Sequence, residues 1–128
     1  MASNIIKNIV ITTLLFLVID SIYLRSIKTM ANDLVFNIQG SKLKLNLIGA
    51  FFSYLCIIII FNYFVIYKKG NLLDSFLLGL LTYGIFEGTS KALFTKWTYE
   101  FMIIDTLWGG ILFASVLYLF RMIIKKLP

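Results

Sequence analysis

Three acidic residues, Asp20, Glu87 and Asp105, lie inside long apolar runs of this chain. A charged side chain at membrane depth costs about 2.5 to 3.5 kcal/mol on insertion scales, so intramembrane carboxyl groups are rare and mark candidate functional sites. Carboxyl groups in this setting can exchange protons, bind a cation, or act as general acid and base. The three acids are therefore the first candidates for chemistry.

The three acids are predicted to lie at one depth. Each is about seven residues from the end of its run that faces away from the chain termini, and a helical rise of 1.5 Å per residue puts all three roughly 10 Å below that surface. Ser53 and Tyr54 fall in the same layer, whereas Arg25 and Lys91 lie about one turn above it. The pattern predicts a polar pocket near one face of the membrane, lined by acids and roofed by bases.

The two bases near this layer have alternative roles. Lys91 follows Glu87 by four residues, a spacing at which opposite charges meet on a helix. We expect Lys91 to pair with Glu87 or to extend to the membrane interface, and Arg25 to point to the surface. Such polar groups could also only hold helices together, since these contacts average about 0.6 kcal/mol in measured cases. A shared depth for three ionisable groups favours a site, because helix assembly does not require one layer.

The elements that position these residues are predicted to be transmembrane helices. The chain of 128 residues is 60% hydrophobic and 14% charged, with a mean hydropathy of +0.93. Four runs, at about 5–27, 45–67, 72–94 and 99–124, have the ~20 residues that a helix needs to cross a ~30 Å hydrocarbon core. Backbone groups in lipid must be satisfied internally, which favours helices. We expect an all-α, integral membrane four-helix bundle, one transmembrane domain over residues 1–128, whose first run is a retained signal anchor.

Four spans would place both termini on one side of the membrane. The basic residues divide evenly: the terminal side has Lys7, Lys68, Lys69, Arg121, Lys125 and Lys126, and the other side has Arg25, Lys28, Lys42, Lys44, Lys91 and Lys96. If Arg25 and Lys91 belong to the spans, the terminal side has the excess, and the positive-inside rule predicts cytoplasmic termini. Insertion in both orientations would give a similar balance and is the alternative.

The composition argues against several kinds of chemistry. The chain has no histidine, the commonest general base and metal ligand, so no metal or other cofactor is expected. Cys56 is the only cysteine; it cannot form an intramolecular disulfide and is predicted to be buried in packing. The net charge of +6 is shared between two faces, so nucleic acid is not expected as a partner.

Small residues indicate where helices approach closely. Gly84 and Gly88 form a small-xxx-small pair, and Gly110 with Ala114 forms a weaker one. We expect helix packing at these positions, within the chain or between copies of a homo-oligomer.

The regions near the membrane surfaces have their own signals. Trp97 and Tyr99 are predicted to be interfacial anchors, and Trp108, three residues after Asp105, is predicted to share the face of that acid. The segment 28–46 is predicted to be a loop whose apolar part, 34–38, lies along the interface or covers the pocket. The basic residues that end the last run are predicted to contact anionic membrane lipids; they are Arg121, Lys125 and Lys126.

One arrangement of small, aromatic and acidic residues is more specific than the rest. It consists of Tyr83-Gly84-Ile85-Phe86-Glu87-Gly88-Thr89, then Trp97, then Asp105-Thr106-Leu107-Trp108-Gly109, with Asp20 near the end of the first run. This arrangement resembles an uncharacterised family of predicted four-helix membrane proteins, domain of unknown function 2177. Glu87 stands where the family usually has Asp, which keeps the carboxyl group, and Ser90 stands where it has Asn, which loses an amide.

The resemblance implies the four-helix fold and a shared site, but it brings no established activity. Together with the layer deduced above, it gives the candidate ion- or substrate-binding residues, which are Asp20, Tyr54, Glu87, Thr89, Lys91, Asp105 and Trp108. No catalytic residue is assigned.

Three classes of function agree with these features. In the first, the pocket binds a proton, an ion or a small cationic or polar solute and passes it across the membrane. In the second, the chain is a non-catalytic accessory or assembly subunit. In the third, the acids act on a lipid or isoprenoid head group whose phosphate is held by Arg25 and Lys91. Depth and small size favour transport first and the accessory role second. A homo-oligomer is expected, because four short helices enclose little pathway.

Overall fold

The computed structural model describes residues 2–128, and this part of the chain is helical and contains no strand. Its elements are α1 (Ala2–Ser26), α2 (Lys28–Gln39), α3 (Leu47–Phe61), a π-helical segment (Asn62–Tyr67) that continues α3, α4 (Leu72–Leu93) and α5 (Tyr99–Lys126). The all-α class is confirmed.

Three segments among residues 2–128 are long and apolar enough to cross a membrane: Ser3–Ser26, Leu47–Tyr67 and Tyr99–Lys126. These segments support an integral membrane protein. Helix α4 lies where the third span was predicted and has 22 residues, but it carries Asp74, Glu87 and Lys91 and is not among the apolar segments. The prediction of four spans is therefore confirmed only in part.

Side-chain caps start the last two helices directly after short links. Asn71 Oδ1 accepts a hydrogen bond from the Asp74 amide at 2.8 Å, and the Asp74 carboxylate accepts one from the Asn71 amide at 2.9 Å. This reciprocal capping box satisfies two amides that would otherwise lack partners at the start of α4. Thr98 caps α5 by accepting from the Phe101 amide at 3.2 Å. The links are short, so neighbouring helices must reverse direction.

Side-chain contacts show these directions. Asp20 of α1 meets Tyr54 of α3, whereas Phe16, one turn earlier in α1, meets Phe61, two turns later in α3. Helix α5 also runs antiparallel to α1. Phe16 meets Phe113, whereas Asp20, which comes later in α1, meets Trp108, which comes earlier in α5. Helices α1, α3 and α5 therefore bring residues near 20, 54 and 106 to the same level.

Helices α4 and α5 form the most extensive helix pair of the fold. Ser75 Oγ donates to the Phe113 carbonyl at 2.8 Å near one end, and Gly84 faces Thr106 further along, so this pair is antiparallel too. Helix α3 is held mainly by α1 and its own π-helical continuation, and it makes few contacts with α4. A cleft is therefore left between α3 and α4.

The centre of the fold is a layer of three phenylalanine rings, Phe16, Phe61 and Phe113, hereafter the aromatic layer. All three side chains are fully buried. Their rings pack edge to face with centroid distances of 5.0, 5.2 and 5.7 Å, a geometry that aromatic quadrupoles favour. The layer joins α1, α3 and α5, and it fills the interior one turn from Asp20 on the side of the chain termini.

Close helix approach occurs at Gly110, as predicted, and also at Gly79. A methyl group on Gly110 would lie 2.7 Å from the Phe76 ring. A methyl group on Gly79 would overlap the Gly109 carbonyl and lie 2.6 Å from the Phe113 ring.

The other predicted pair packs less closely within the chain. A side chain on Gly88 would meet nothing within 4 Å, and one on Gly84 would make only an ordinary contact with Thr106. Packing of Gly84 and Gly88 between copies of the chain stays a prediction.

The segment predicted to be a loop is mostly helical. Helix α2 follows α1 after a break at Ile27 and ends at Gly40, whose φ of 73° is readily adopted by glycine. Leu34 is buried, and Ile38 faces the end of α4 around Leu93. Helix α2 thus packs its apolar side on the bundle end.

One further prediction about a single residue is wrong. Cys56 is exposed on the outer surface of α3 rather than buried. Arg121, Lys125 and Lys126 are exposed, and their contact with anionic lipids stays a prediction. Arg121 also donates through Nη2 to the Gly70 carbonyl at 2.7 Å and so ties α5 to the link before α4.

We expect Gly79→Ala to destabilise the fold, because its methyl group has no space beside α5. Overpacking of this kind costs typically about 1–3 kcal/mol. Gly88→Ala is the matched control, since the same change on the same helix meets nothing within 4 Å. Thermal unfolding in detergent should show a lower midpoint for Gly79→Ala only; equal midpoints for the two variants would contradict the α4 and α5 contact.

Candidate functional site

Asp20 of α1, Glu87 of α4 and Asp105 of α5 come together at one level of the bundle, hereafter the acidic layer. Asp20 is 7% exposed and Glu87 is fully buried, while Asp105 is half-buried. Buried carboxyl groups need compensating hydrogen bonds, because their desolvation is costly. In this structure the donors are aromatic side chains.

Asp20 accepts two hydrogen bonds from two other helices. The Tyr54 hydroxyl of α3 donates to Oδ2, and the Trp108 indole of α5 donates to Oδ1 at 3.0 Å. Both carboxyl oxygens are therefore satisfied, and one acid joins three helices. The predicted proximity of Asp20, Tyr54 and Trp108 is present.

Asp105 has its own donor on α1. The Tyr23 hydroxyl donates to Asp105 Oδ1 at 2.8 Å. The Tyr23 ring also stacks on Trp108, with centroids 4.4 Å apart and an interplanar angle of 5°. The Asp20 and Asp105 contacts are thus two parts of one network.

Glu87 differs from Asp20 because one of its two buried oxygens has no donor among the described residues. The Trp97 indole donates to Oε1 at 2.8 Å. Oε2 is buried and, among the described residues, has no hydrogen-bond partner. The Asp105 carboxyl group is a neighbour of Glu87, and a hydrogen bond between two carboxyl groups requires that one of them be protonated. We call Glu87 and Asp105 the carboxyl pair.

The predicted roof of basic side chains is not present. Lys91 Nζ donates to the Thr95 carbonyl at 3.1 Å and lies 4.5 Å from the centroid of the Tyr99 ring, so it extends toward the link after α4 rather than to Glu87. Arg25 is exposed. Of the two alternatives for Lys91, the structure shows extension to the end of the helix.

The remaining predicted site residues lie apart from the network. Thr89 is exposed on α4, and so is Ser53 on α3. Ser90, which stands at the position where the family pattern has Asn, donates to the Phe86 carbonyl of its own helix at 2.8 Å. The structure therefore brings together five of the seven candidates and separates Thr89 and Lys91 from them.

The sequence does not by itself point to two members of the network. Tyr23 follows Asp20 by three residues and so shares its helix face, a signal that could have identified it. Trp97 lies in a link between helices, where no helical period connects it with Glu87. Trp108 shares the helix face of Asp105, as predicted, since Tyr23 contacts both, and its indole donates to Asp20.

A cleft between α3 and α4 leads sideways from the outer surface to Asp105; we call it the lateral cleft. Its volume is about 390 Å³, and its polar lining includes Ser53, Thr82 and Asp105. Phe52 and Phe86 are among its apolar walls. Because Asp105 belongs to the carboxyl pair, the cleft connects the acidic layer with the region that lipid would occupy.

The side of the acidic layer toward the termini is closed by the aromatic layer. Beyond that layer lies a second polar contact, in which Asn62 Nδ2 donates to Thr12 Oγ1 at 2.9 Å. A separate groove of about 360 Å³, lined in part by Asn8 and Asn62, opens there. The structure therefore has two polar regions with an apolar barrier between them.

The acids of the described residues do not form a metal centre. Within residues 2–128 no group of three or more His, Cys, Asp or Glu side chains is arranged to hold a metal ion. The acidic layer can hold protons, and it can accept hydrogen bonds or positive charge from an organic group.

Comparison with known proteins identifies a family and nothing further. Residues 5–120 match the profile of DUF2177, described as a predicted membrane protein. Searches of the curated proteins and of the solved structures found no match.

We expect Tyr54→Phe and Trp108→Phe each to destabilise the protein, because each removes a donor from buried Asp20. A buried acceptor that loses its partner costs about 1–3 kcal/mol, and somewhat more when it is charged. Both changes act on one carboxyl group, so the double variant should differ from the sum by more than about 0.5 kcal/mol. Thermal unfolding in detergent measures the effects.

The matched control for this pair is Tyr118→Phe, which removes the hydroxyl of an exposed tyrosine on α5. Its stability should equal that of the unchanged protein. If Tyr54→Phe behaves like Tyr118→Phe, the bond to Asp20 does not contribute to the fold.

Proposed function

The chain belongs to the DUF2177 family of predicted membrane proteins, and from this premise we propose that it is a membrane carrier that exchanges protons for a small cationic or polar solute at the carboxyl pair. That the chain is an integral membrane protein with apolar helices rests on the family and on the three apolar segments. The carrier function is supported by the chemistry of the acidic layer.

The observation that carries the proposal is the unpartnered Glu87 Oε2 beside Asp105. Neighbouring carboxyl groups in an apolar interior repel each other when both are ionised, so a proton or an external positive charge at the pair is favourable. Lys91, the base with the right spacing for this position, bonds instead to Thr95. The pair is therefore a site at which a proton and a cation compete.

The two polar regions support transport rather than simple binding. In this conformation the acidic layer is reached from the lateral cleft and is separated by the aromatic layer from the contact between Asn62 and Thr12. A barrier on one side of a site is what a carrier requires in each of its end states, whereas an open channel would need a continuous path. Movement of the ring of Phe61 with α3 would open the other side.

The proposal includes α4 as a fourth span. Its 22 residues reach about 33 Å at 1.5 Å per residue, enough to cross the hydrocarbon core. It runs antiparallel along α5, which is itself an apolar segment. Its polar residue Glu87 is buried against the bundle, where a carboxyl group is tolerated. With four spans both termini lie on one side, which we propose to be the cytoplasmic side.

An accessory role is the second candidate, and one observation favours it. Both oxygens of Asp20 are satisfied by donors from α3 and α5, which is the arrangement expected of a contact that only assembles helices. Head-group catalysis loses its support, because Arg25 and Lys91 do not face the acidic layer.

We expect Asp105→Asn to abolish solute-coupled proton flux in reconstituted vesicles, because the amide keeps the size of the side chain but cannot release a proton. Flux is measured with a pH-sensitive dye inside the vesicles while a panel of cationic and polar solutes is added outside. Asp33→Asn is the matched control, since Asp33 is an exposed acid of α2 outside the acidic layer. It should retain the flux of the unchanged protein.

Equal flux in Asp105→Asn and Asp33→Asn would overturn the carrier mechanism at the carboxyl pair. Absence of flux from the unchanged protein over the whole panel would favour the accessory role. Insertion and thermal stability of both variants are compared first, so that a folding defect is recognised.

A further inference from the structure

We propose that the solute is an amphipathic organic cation that enters from the lipid phase through the lateral cleft and places its positive charge at the carboxyl pair. The inference rests on the proposed function in one respect: both use the carboxyl pair as the binding site. It adds the chemical class of the ligand and the direction of its entry.

The cleft walls match a ligand with an apolar body. Phe52, Ile57, Ile60 and Phe86 line it, and Asp105 is its acidic residue. The cleft is open at the side, between two helices that make few contacts with each other. A ligand already dissolved in the membrane would enter without crossing water, whereas a strongly hydrated ion would have to give up its water against apolar side chains.

The acidic residue in the cleft favours a positively charged ligand. Asp105 lines the cleft, and its neighbour Glu87 has a buried Oε2 without a hydrogen-bond partner among the described residues. That oxygen is a second observation beside the clustering of acids, since buried polar atoms without partners are rare and call for an explanation such as an absent ligand. A proton shared with Asp105, or a positive group that takes the place of that proton, would satisfy it.

An anionic lipid head group does not fit the same position. The basic side chain nearest to Glu87 in sequence is Lys91, which is held by the Thr95 carbonyl and the Tyr99 ring. A phosphate beside the carboxyl pair would therefore add negative charge without a compensating base.

Aromatic faces give the cation a further favourable contact. The cleft is lined by Phe52, Tyr83 and Phe86, and aromatic rings attract organic cations through their electron-rich faces. A volume of about 390 Å³ lies within the range of about 300–1,000 Å³ that is usual for small-molecule sites. The cleft thus combines size, apolar walls and negative charge for one ligand.

The test uses tetraphenylphosphonium as the probe and tetraphenylborate as its partner of the same shape and opposite charge. Binding of each ion to the purified full-length protein in detergent is measured by equilibrium dialysis against detergent alone. We expect saturable binding of the cation with one site per chain, and no saturable binding of the anion. Equal binding of both ions would show partition into apolar surface and would overturn the proposal.

Two variants and a matched control locate the site. Glu87→Gln and Asp105→Asn should each weaken binding of the cation at least tenfold. Glu100→Gln makes the same chemical change as Glu87→Gln at an exposed position in the first turn of α5, and it should bind as the unchanged protein does. A loss in all three variants, or in none, would contradict a site at the carboxyl pair.

The unchanged protein provides a test that does not depend on the folding of variants. Cys56, the only cysteine, is exposed and lines the lateral cleft. A bound cation in the cleft should slow modification of Cys56 by N-ethylmaleimide at least several-fold, while tetraphenylborate should not. An unchanged rate at a saturating concentration of the cation would place the cation elsewhere and overturn entry through the cleft.

The outcomes separate this inference from the carrier proposal. Charge-selective binding and Cys56 protection without any flux would support the ligand class and reject transport. Proton-coupled flux of a hydrophilic solute, lost in Asp105→Asn, without binding of tetraphenylphosphonium would support the carrier and reject the amphipathic cation.

Discussion

The enclosure of three carboxyl groups in an apolar bundle, two of them buried and one half-buried, is the constraint on which the rest of the fold depends. An enclosed acid needs donors from the protein, and the structure supplies them from tyrosine and tryptophan side chains of other elements. Tyr54 and Trp108 serve Asp20, Tyr23 serves Asp105, and Trp97 serves Glu87. Aromatic donors suit this position, because they bring a polar atom on a large apolar body. The contacts of Asp20 and Asp105 join α1, α3 and α5, and the contact of Glu87 joins α4 to the link before α5.

Because the donors are aromatic rather than basic, the sequence predicts where the acids lie but not which side chains bind them. The hydropathy of the runs predicts helices. The number of residues between Asp20 or Asp105 and the end of its run predicts a shared depth, since each helical residue rises by a fixed distance. Spacing does not predict the partner of a side chain that can reach two places. Lys91 has the correct interval for Glu87, but a lysine near a helix end keeps its ammonium group in a wetter position at lower cost by extending outward. Its bond to the Thr95 carbonyl follows from this difference.

Helix faces and connections were harder to predict than helix positions. Gly84 and Gly88 have the spacing of a packing motif, yet α5 approaches α4 more closely at Gly79, because rotation of α4 is set by contacts outside its own sequence. Segment 28–46 was expected to be a loop because it mixes polar and apolar residues. Its helix α2 is stabilised by the bundle end, where Leu34 becomes buried. In both cases tertiary packing decided what local sequence left open.

The acidic layer and the aromatic layer differ in what they need from the surrounding helices. The buried carboxyl groups of the acidic layer depend on protein donors, whereas the rings of the aromatic layer fill the next level and bring no polar group. Directly after Phe61 the backbone changes to π-helical geometry, with Gly70 N bonded to Val65 O at 2.8 Å and Asn62 bonded through its side chain to Thr12. Such π turns are rare overall but frequent at functional sites. The aromatic layer therefore ends at the point where α3 departs from the α-helical hydrogen-bond pattern.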